Sequence, residues 1–221
     1  MSRSITHTLS YLIPFSIPVL LVLTNIYFFM TPSYLDYEYG KSDFPKADLF
    51  SNADRRAYSG ASIEYIRGGS SLEKFKALGV YQDREIKHMI DVRELVAKVN
   101  IFYALTATLA LSALAALAAK KSTRALAARA LVRGARLSVA LFIAIGIFAA
   151  VAFQTFFTLF HRIFFEGDSW LFLYTDSLIQ FYPLPFWFDT SLALVVLTLL
   201  QALIIGAIGW RWGRALAKGE K

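Results

Sequence analysis

Four stretches of the chain are apolar for about twenty residues or a little more, and charged residues collect between them rather than within them. The first runs from Tyr11 to Met30, the second from about Ile101 to Ala119, the third from about Leu137 to Phe160, and the fourth from about Thr190 to Trp210. A helix rising 1.5 Å per residue crosses roughly 30 Å of hydrocarbon in about twenty residues, so each stretch is predicted to span a membrane. Pro14 and Pro18 fall early in the first span, where neighbouring helices can satisfy the carbonyls that a kink frees. The pattern predicts an all-α membrane protein with four transmembrane helices and a small, mainly helical extracytoplasmic cap domain containing a short strand or two. Its divisions are a first span closing at residue 30, a cap over 31–99 and a second span over 100–119. A basic loop over 120–136, a third span over 137–160, an aromatic loop over 161–189 and a fourth span with its basic tail over 190–221 complete the chain.

Basic residues fix the predicted topology. Arg3 precedes the first span, Lys120, Lys121, Arg124, Arg129, Arg133 and Arg136 follow the second, and Arg211, Arg214, Lys218 and Lys221 close the chain, with Glu220 the one acid among them. Positive residues favour the cytoplasmic side, which puts both termini inside and segments 31–99 and 161–189 together on the outer face. Arg3 ahead of an apolar run has a signal-peptide outline, but no small-x-small pattern follows Met30, so the first span is expected to remain uncleaved. In the loop KKSTRALAARALVRGAR the charges fall at near-helical spacing among alanines, which predicts an amphipathic turn of helix against anionic headgroups. No aromatic or base-reading residue interleaves with those arginines, so nucleic acid is not an expected partner.

Within the cap, Tyr34, Tyr37 and Tyr39 alternate partly with Asp36 and Glu38, the pattern of a short strand. Residues 52–66 predict a helix with Asn52 as N-cap and Gly68 and Gly69 as its stop. Ser70 and Glu73 have the spacing of a capping box, which predicts a second short helix burying Leu72, Phe75 and Leu78 and ending at Gly79. After Asp83 the run REIKHMIDVRELVAKVN keeps a helical apolar period into the second span, which places His88 on a helix entering the membrane.

Composition agrees with the spans: of 221 residues, 57% are hydrophobic and only 18% charged. The net charge of +7 is accounted for by its placement beside apolar segments. There is no Cys, which removes disulfides, thiolate nucleophiles and Cys metal sites from consideration. Neither a GxSG-type nucleophile nor paired aspartates within spans argue for a protease.

Candidate chemistry concentrates in Phe160 to Trp187, too polar to span, where Trp170, Tyr174, Phe181, Tyr182, Phe186 and Trp187 mix with His161, Arg162, Glu166, Asp168 and Asp176. Such a mixture suits a membrane–water interface. Of the three histidines, His7 lies on the predicted cytoplasmic side, while His88 and His161 both lie outside. An imidazole accepts and returns a proton near neutral pH. Asp91, at i+3 from His88, is placed to orient its ring, and Asp168 or Asp176 to do so for His161. Two histidines without HExxH spacing do not make a metal site, and none is expected. If the second span begins near Ile101, His88 stands about 20 Å above it along a straight helix. For His88 to meet His161, the helix must tilt or break before Asn100, or the span must start higher and admit Lys98 and Asn100 to a polar cavity.

EIKHMIDVREL, preceded by YEYGKSDFPKADLF and SIEYI and followed by FHRIFFEGDSW and TDSLIQFYPLPFW, resembles bacterial four-helix membrane proteins identified as lipoprotein intramolecular transacylases. The likeness covers most of the chain in order, and its specific pieces surround His88 and His161. It implies an enzyme of the bacterial plasma membrane that moves the sn-2 acyl chain of a lipoprotein's diacylglyceryl group to the α-amino group of its N-terminal cysteine, giving the lyso form. It further implies that His88 and His161 are the catalytic residues, with diacylated lipoproteins and membrane lipids as partners. Ester-to-amide transfer is downhill, so no cofactor is expected, and no Gly-rich phosphate-binding pattern is present. Asn100, Arg162, Tyr174 or backbone amides are the candidates for stabilising an oxyanion. An acyl-imidazole route stays open beside direct general acid–base transfer. The competing readings are a non-enzymatic lipid-binding or assembly protein and an acyl-ester hydrolase.

Overall fold

A computed structural model describes residues 2–219; Glu220 and Lys221 of the predicted basic tail lie outside the described residues. Among these the regular elements are all helices: α1 (Arg3–Phe29), α2 (Pro32–Tyr39), α3 (Asn52–Ile66), α4 (Leu72–Lys76), α5 (Asp83–Ala119), α6 (Lys121–Val151), α7 (Phe153–Phe164), α8 (Ser177–Phe181) and α9 (Leu184–Gly219). Four of them, α1, α5, α6 and α9, are long and apolar enough to cross a membrane. The chain divides into two compact units.

One unit takes α1 up to Ile26, residues Ile101–Ile147 and the chain from Ala193 onward. Its core joins Ile13 and Ile17 of α1 to Ala113 and Leu117 of α5 and Ala127 and Ala130 of α6. The alanines bring helix backbones close, and Gly134 carries this furthest: a Cβ there would collide with the Ile17 side chain. Leu105, Leu109, Leu200, Leu203 and Ile208 face outward, as lipid-facing residues of spans do. Polar bonds add to the packing. Asn25 donates through Nδ2 to Oγ1 of Thr198 at 3.0 Å and to Oε1 of Gln201 at 3.0 Å, and Gln201 Nε2 donates back to Asn25 Oδ1 at 2.9 Å.

The basic loop, expected to hold an amphipathic turn of helix, is helical from Lys121 and is one helix with the third span. Only Lys120 separates α5 from α6, and Thr123 Oγ1 and Arg124 Nε donate to the carbonyls of Leu117 and Ala118 at 2.7 and 2.9 Å. Those bonds satisfy the open C-terminus of α5, and the alanine-rich run, a strong helix former, continues directly into the third span.

The other unit holds residues 27–100 and 148–192. Tyr65 of α3, Phe75 of α4, Met89 of α5 and Leu178 of α8 form its core, with Leu72, Leu78 and Phe172 packed against them. The expected strand near Tyr34 is α2: Thr31 caps the helix and Pro32 occupies its first turn, a strong start signal that overrides the tyrosine alternation. Two caps fall one residue away from their predicted places. Ser51, not Asn52, accepts from the Asp54 N–H at 3.1 Å, and Ser71, not Ser70, accepts from that of Lys74 at 3.2 Å. Residues 184–189, assigned above to the aromatic loop, form the first turns of α9. The third span ends at Val151 rather than Phe160. Ala152 leaves helical geometry at φ −136°, ψ 51°, and α7 starts afresh at Phe153.

Candidate functional site

His88 and His161 meet. Their ring centroids lie 6.4 Å apart with the planes 25° from parallel. The meeting requires no break in α5, which is continuous from Asp83 to Ala119, and Lys98 is exposed and paired with Glu94 at 3.8 Å. What changes is the carrier of His161. It sits on α7, beyond the break at Ala152, so it stands well past the end of the third span just as His88 stands well before Ile101.

The pair is walled by aromatic rings. Phe165 and Phe172 lie 4.9 and 5.3 Å from the His88 ring, and Phe157 and Trp170 lie 4.1 and 4.9 Å from that of His161. His88 is buried and His161 half-buried. Burial disfavours the charged form: it pushes the His88 pKa down to about 4, with the second imidazole adding to the effect, and it also lowers that of His161. Both are therefore neutral at pH 7. Nδ1 of His161 lies 2.7 Å from the Phe157 carbonyl, which can only accept, so Nδ1 carries the proton and Nε2 the lone pair. Nδ1 of His88 is buried without a protein hydrogen-bond partner among the described residues. Such an atom is costly unless a reacting group or solvent bonds to it.

A family model for the lipoprotein intramolecular transacylase Lit matches residues 9–187. The chain belongs to this family. Lit-family proteins are acyltransferases, and this member is a multi-pass membrane protein. An in meso structure of the membrane-integral Lit from Bacillus cereus superposes with a TM-score of 0.74, at 22% identity, over 99% of this chain and 96% of that one. A Bacillus cereus Lit structure with one histidine replaced by arginine superposes at 0.63, with 20% identity, over 99% and 92% of the two chains. At those identities the likeness establishes the fold. An uncharacterized protein of Aquifex aeolicus (strain VF5) is 25% identical over 194 residues, covering 85% of this chain and 86% of its own.

The other predicted site residues of this Lit-family chain scatter. Asp91 is half-buried and accepts from Ser169 Oγ at 3.5 Å, tying α5 to the loop after α7. Asn100 is exposed, about 18 Å further along α5 than His88 at 1.5 Å per residue. Arg162 and Asp168 are exposed, and the Asp168 carbonyl accepts from the Leu171 N–H at 3.0 Å in a turn. The Tyr174 side chain is exposed, with its carbonyl held by Gln180 Nε2 at 2.7 Å. Asp176 is fully buried and receives Arg84 at 2.6 Å, Gln82 Nε2 at 3.3 Å and the Leu173 N–H at 2.6 Å. Its oxygens are committed to holding the loop. Among the described residues no three His, Asp or Glu side chains converge as a metal site needs.

Glu85 was not anticipated. It is fully buried one turn before His88, and it accepts the Leu178 N–H at 2.7 Å and the Gln82 N–H at 2.8 Å. Desolvation raises its pKa. The available signal was the Gln82-to-Glu85 spacing, in which the third helical residue reaches back to the cap N–H. The aromatic walls were visible only as composition.

Proposed function

We propose that this chain transfers the sn-2 acyl chain of a lipoprotein's diacylglyceryl group to the α-amino group of the N-terminal cysteine, with the histidine pair moving the proton. The observation that carries this reading is the geometry of two neutral, near-parallel imidazoles in an aromatic pocket, one with its Nδ1 engaged and its Nε2 lone pair free. The reaction needs one proton taken from nitrogen and one delivered to oxygen. The cysteine amine attacks the ester carbonyl, His161 Nε2 accepts the proton the nitrogen sheds, the acyl C–O bond breaks, and the departing glyceryl oxygen receives a proton from the pair. The product is an amide and a free hydroxyl, with atoms and charge balanced. Phe157 steadies the imidazolium formed in passing, because a carbonyl accepting from Nδ1–H binds the charged ring more strongly than the neutral one. His88, without a protein partner for Nδ1, polarises the ester by a hydrogen bond, and the leaving oxygen takes up the proton that His161 accepted.

Donor and acceptor belong to one substrate molecule, so positioning supplies much of the rate, up to about 7 to 11 kcal/mol for a well-oriented attack. The partners are diacylated lipoproteins held in membrane lipid. The basic start of α6 supports a cytoplasmic α5–α6 connection, with both termini on that side and the histidines on the outer face.

The test is incubation of the purified protein, in lipid, with a synthetic diacylglyceryl-cysteine lipopeptide, followed by tandem mass spectrometry. Unchanged total mass with one acyl chain relocated to the amine is expected. Loss of one acyl mass would make the protein a hydrolase, and untouched substrate would favour a lipid-binding role.

A further inference from the structure

Beside the histidine pair, two segments outside the span-forming helices hold large apolar side chains outward. On α7, Phe160, Ile163 and Phe164 share one exposed face, Ile163 to 74%. Thr155, Thr158 and Arg162 occupy roughly the opposite face at i, i+3 and i+7, and Phe157, His161 and Phe165 take a third at i, i+4 and i+8. On the loop that follows, Leu171, Leu173 and Tyr174 are all more than half exposed.

This loop is built rather than loosely hung. The buried Asp176 accepts the Leu173 N–H at 2.6 Å, its own N–H donates to the Leu173 carbonyl at 3.0 Å, and Gln180 fixes the Tyr174 carbonyl at 2.7 Å. The fold therefore uses buried polar groups to present apolar side chains outward. Large apolar side chains held outward in this way mark surfaces that meet something apolar.

We propose that the outer face of α7 and the Leu171–Tyr174 loop form a rim immersed in the acyl region of the lipid, so that the histidine pair opens toward membrane lipid rather than bulk water. Chain continuity identifies the occupant. Val151 ends a helix long and apolar enough to cross a membrane, and Ala152 alone separates it from α7, so α7 starts where the membrane ends. Its three faces then match an interfacial helix: apolar into lipid, Thr155, Thr158 and Arg162 toward headgroups and water, and His161 between them. The neighbouring Glu166 and Asp168 are exposed and extend the water side.

Because the chain has no Cys, single cysteines can carry a spin label without removing native thiols. Ile163→Cys, Leu173→Cys and Thr155→Cys are labelled in turn in lipid vesicles, and relaxation by oxygen is compared with relaxation by a water-soluble nickel chelate. The expected result is oxygen-dominated relaxation at Ile163 and Leu173 and nickel-dominated relaxation at Thr155. Nickel-dominated relaxation at either apolar position overturns the rim. So does a label shielded from both agents, which would mean that a second copy or a partner protein covers the surface. Should a variant elute differently from the unsubstituted protein, Phe160→Cys or Phe164→Cys reads the same face of α7. Acyl transfer need not be intact for the measurement to decide.

Discussion

The carbonyl oxygen of Phe157 lies 2.7 Å from Nδ1 of His161, one helical turn away on α7. A backbone carbonyl has no proton to give, so the bond selects the Nδ1–H tautomer and leaves Nε2 as the basic nitrogen. Here the backbone performs the orienting task that a carboxylate performs in a Ser-His-Asp triad. Nitrogen-15 spectra of labelled histidine should accordingly show His161 at pH 7 as neutral Nδ1–H, assigned by its loss in His161→Asn. An Nε2–H tautomer there would remove His161 Nε2 as the proton acceptor.

The lowered pKa values predict a pH window. The base is active when neutral, and burial keeps both rings neutral below the ordinary imidazole value of about 6.5, His88 down to about 4. Loss of transfer to protonation of the pair should therefore begin below pH 6.5 rather than at it.

Stability should follow the same sign. Below pH 6.5 the unfolded chain binds protons that the folded His88 refuses until near pH 4, so stability falls as pH falls across that interval, by about 3 kcal/mol at most. Denaturation midpoints at pH 7 and pH 5 should differ less in His88→Asn than in the unsubstituted protein. An equal difference in both would contradict the burial account.

Spans and histidines were legible in the sequence for different reasons. Hydropathy over twenty residues reports directly on membrane crossing, and all four spans have their helices. The break at Ala152 carries no Pro or Gly, so nothing in composition separated α7 from the third span, and that break puts His161 on α7 rather than on the span. Asp176 read as a partner for His161 because a carboxylate near an imidazole in sequence gives no account of the backbone amides that claim it. Glu85 was hidden by the converse: a charged residue on a predicted helix reads as solvated until the fold buries it.

Glu85 and Asp176 should matter for stability more than surface carboxylates do. Glu85→Ala strands the buried Leu178 N–H, which costs about 1 to 3 kcal/mol, and removes the acceptor of the Gln82 N–H as well. Asp176→Ala leaves Arg84 and the Leu173 N–H without their acceptor. Thermal unfolding in detergent should show each variant lowered by several degrees, while Asp168→Ala, on an exposed turn, stays close to the unsubstituted protein. Unfolding temperatures equal across the three would contradict the clamp.

The amide pair between Asn25 and Gln201 should couple α1 to α9 measurably. In a double-mutant cycle of Asn25→Ala and Gln201→Ala, the coupling is expected at about 0.6 to 2 kcal/mol, the range of hydrogen bonds between helices in membranes. Additive single effects would mean the 2.9 and 3.0 Å bonds contribute no net stability.

The most direct test of the central claim is the transfer rate of His88→Asn and His161→Asn on a diacylglyceryl-cysteine lipopeptide, measured in lipid and followed by the relocation of one acyl chain to the amine. The histidine pair predicts loss of at least about a hundredfold in each, the lower bound for removing a positioned proton-transfer group, with membrane insertion intact. A fully active variant at either position would remove that histidine from the chemistry and contradict the paired mechanism.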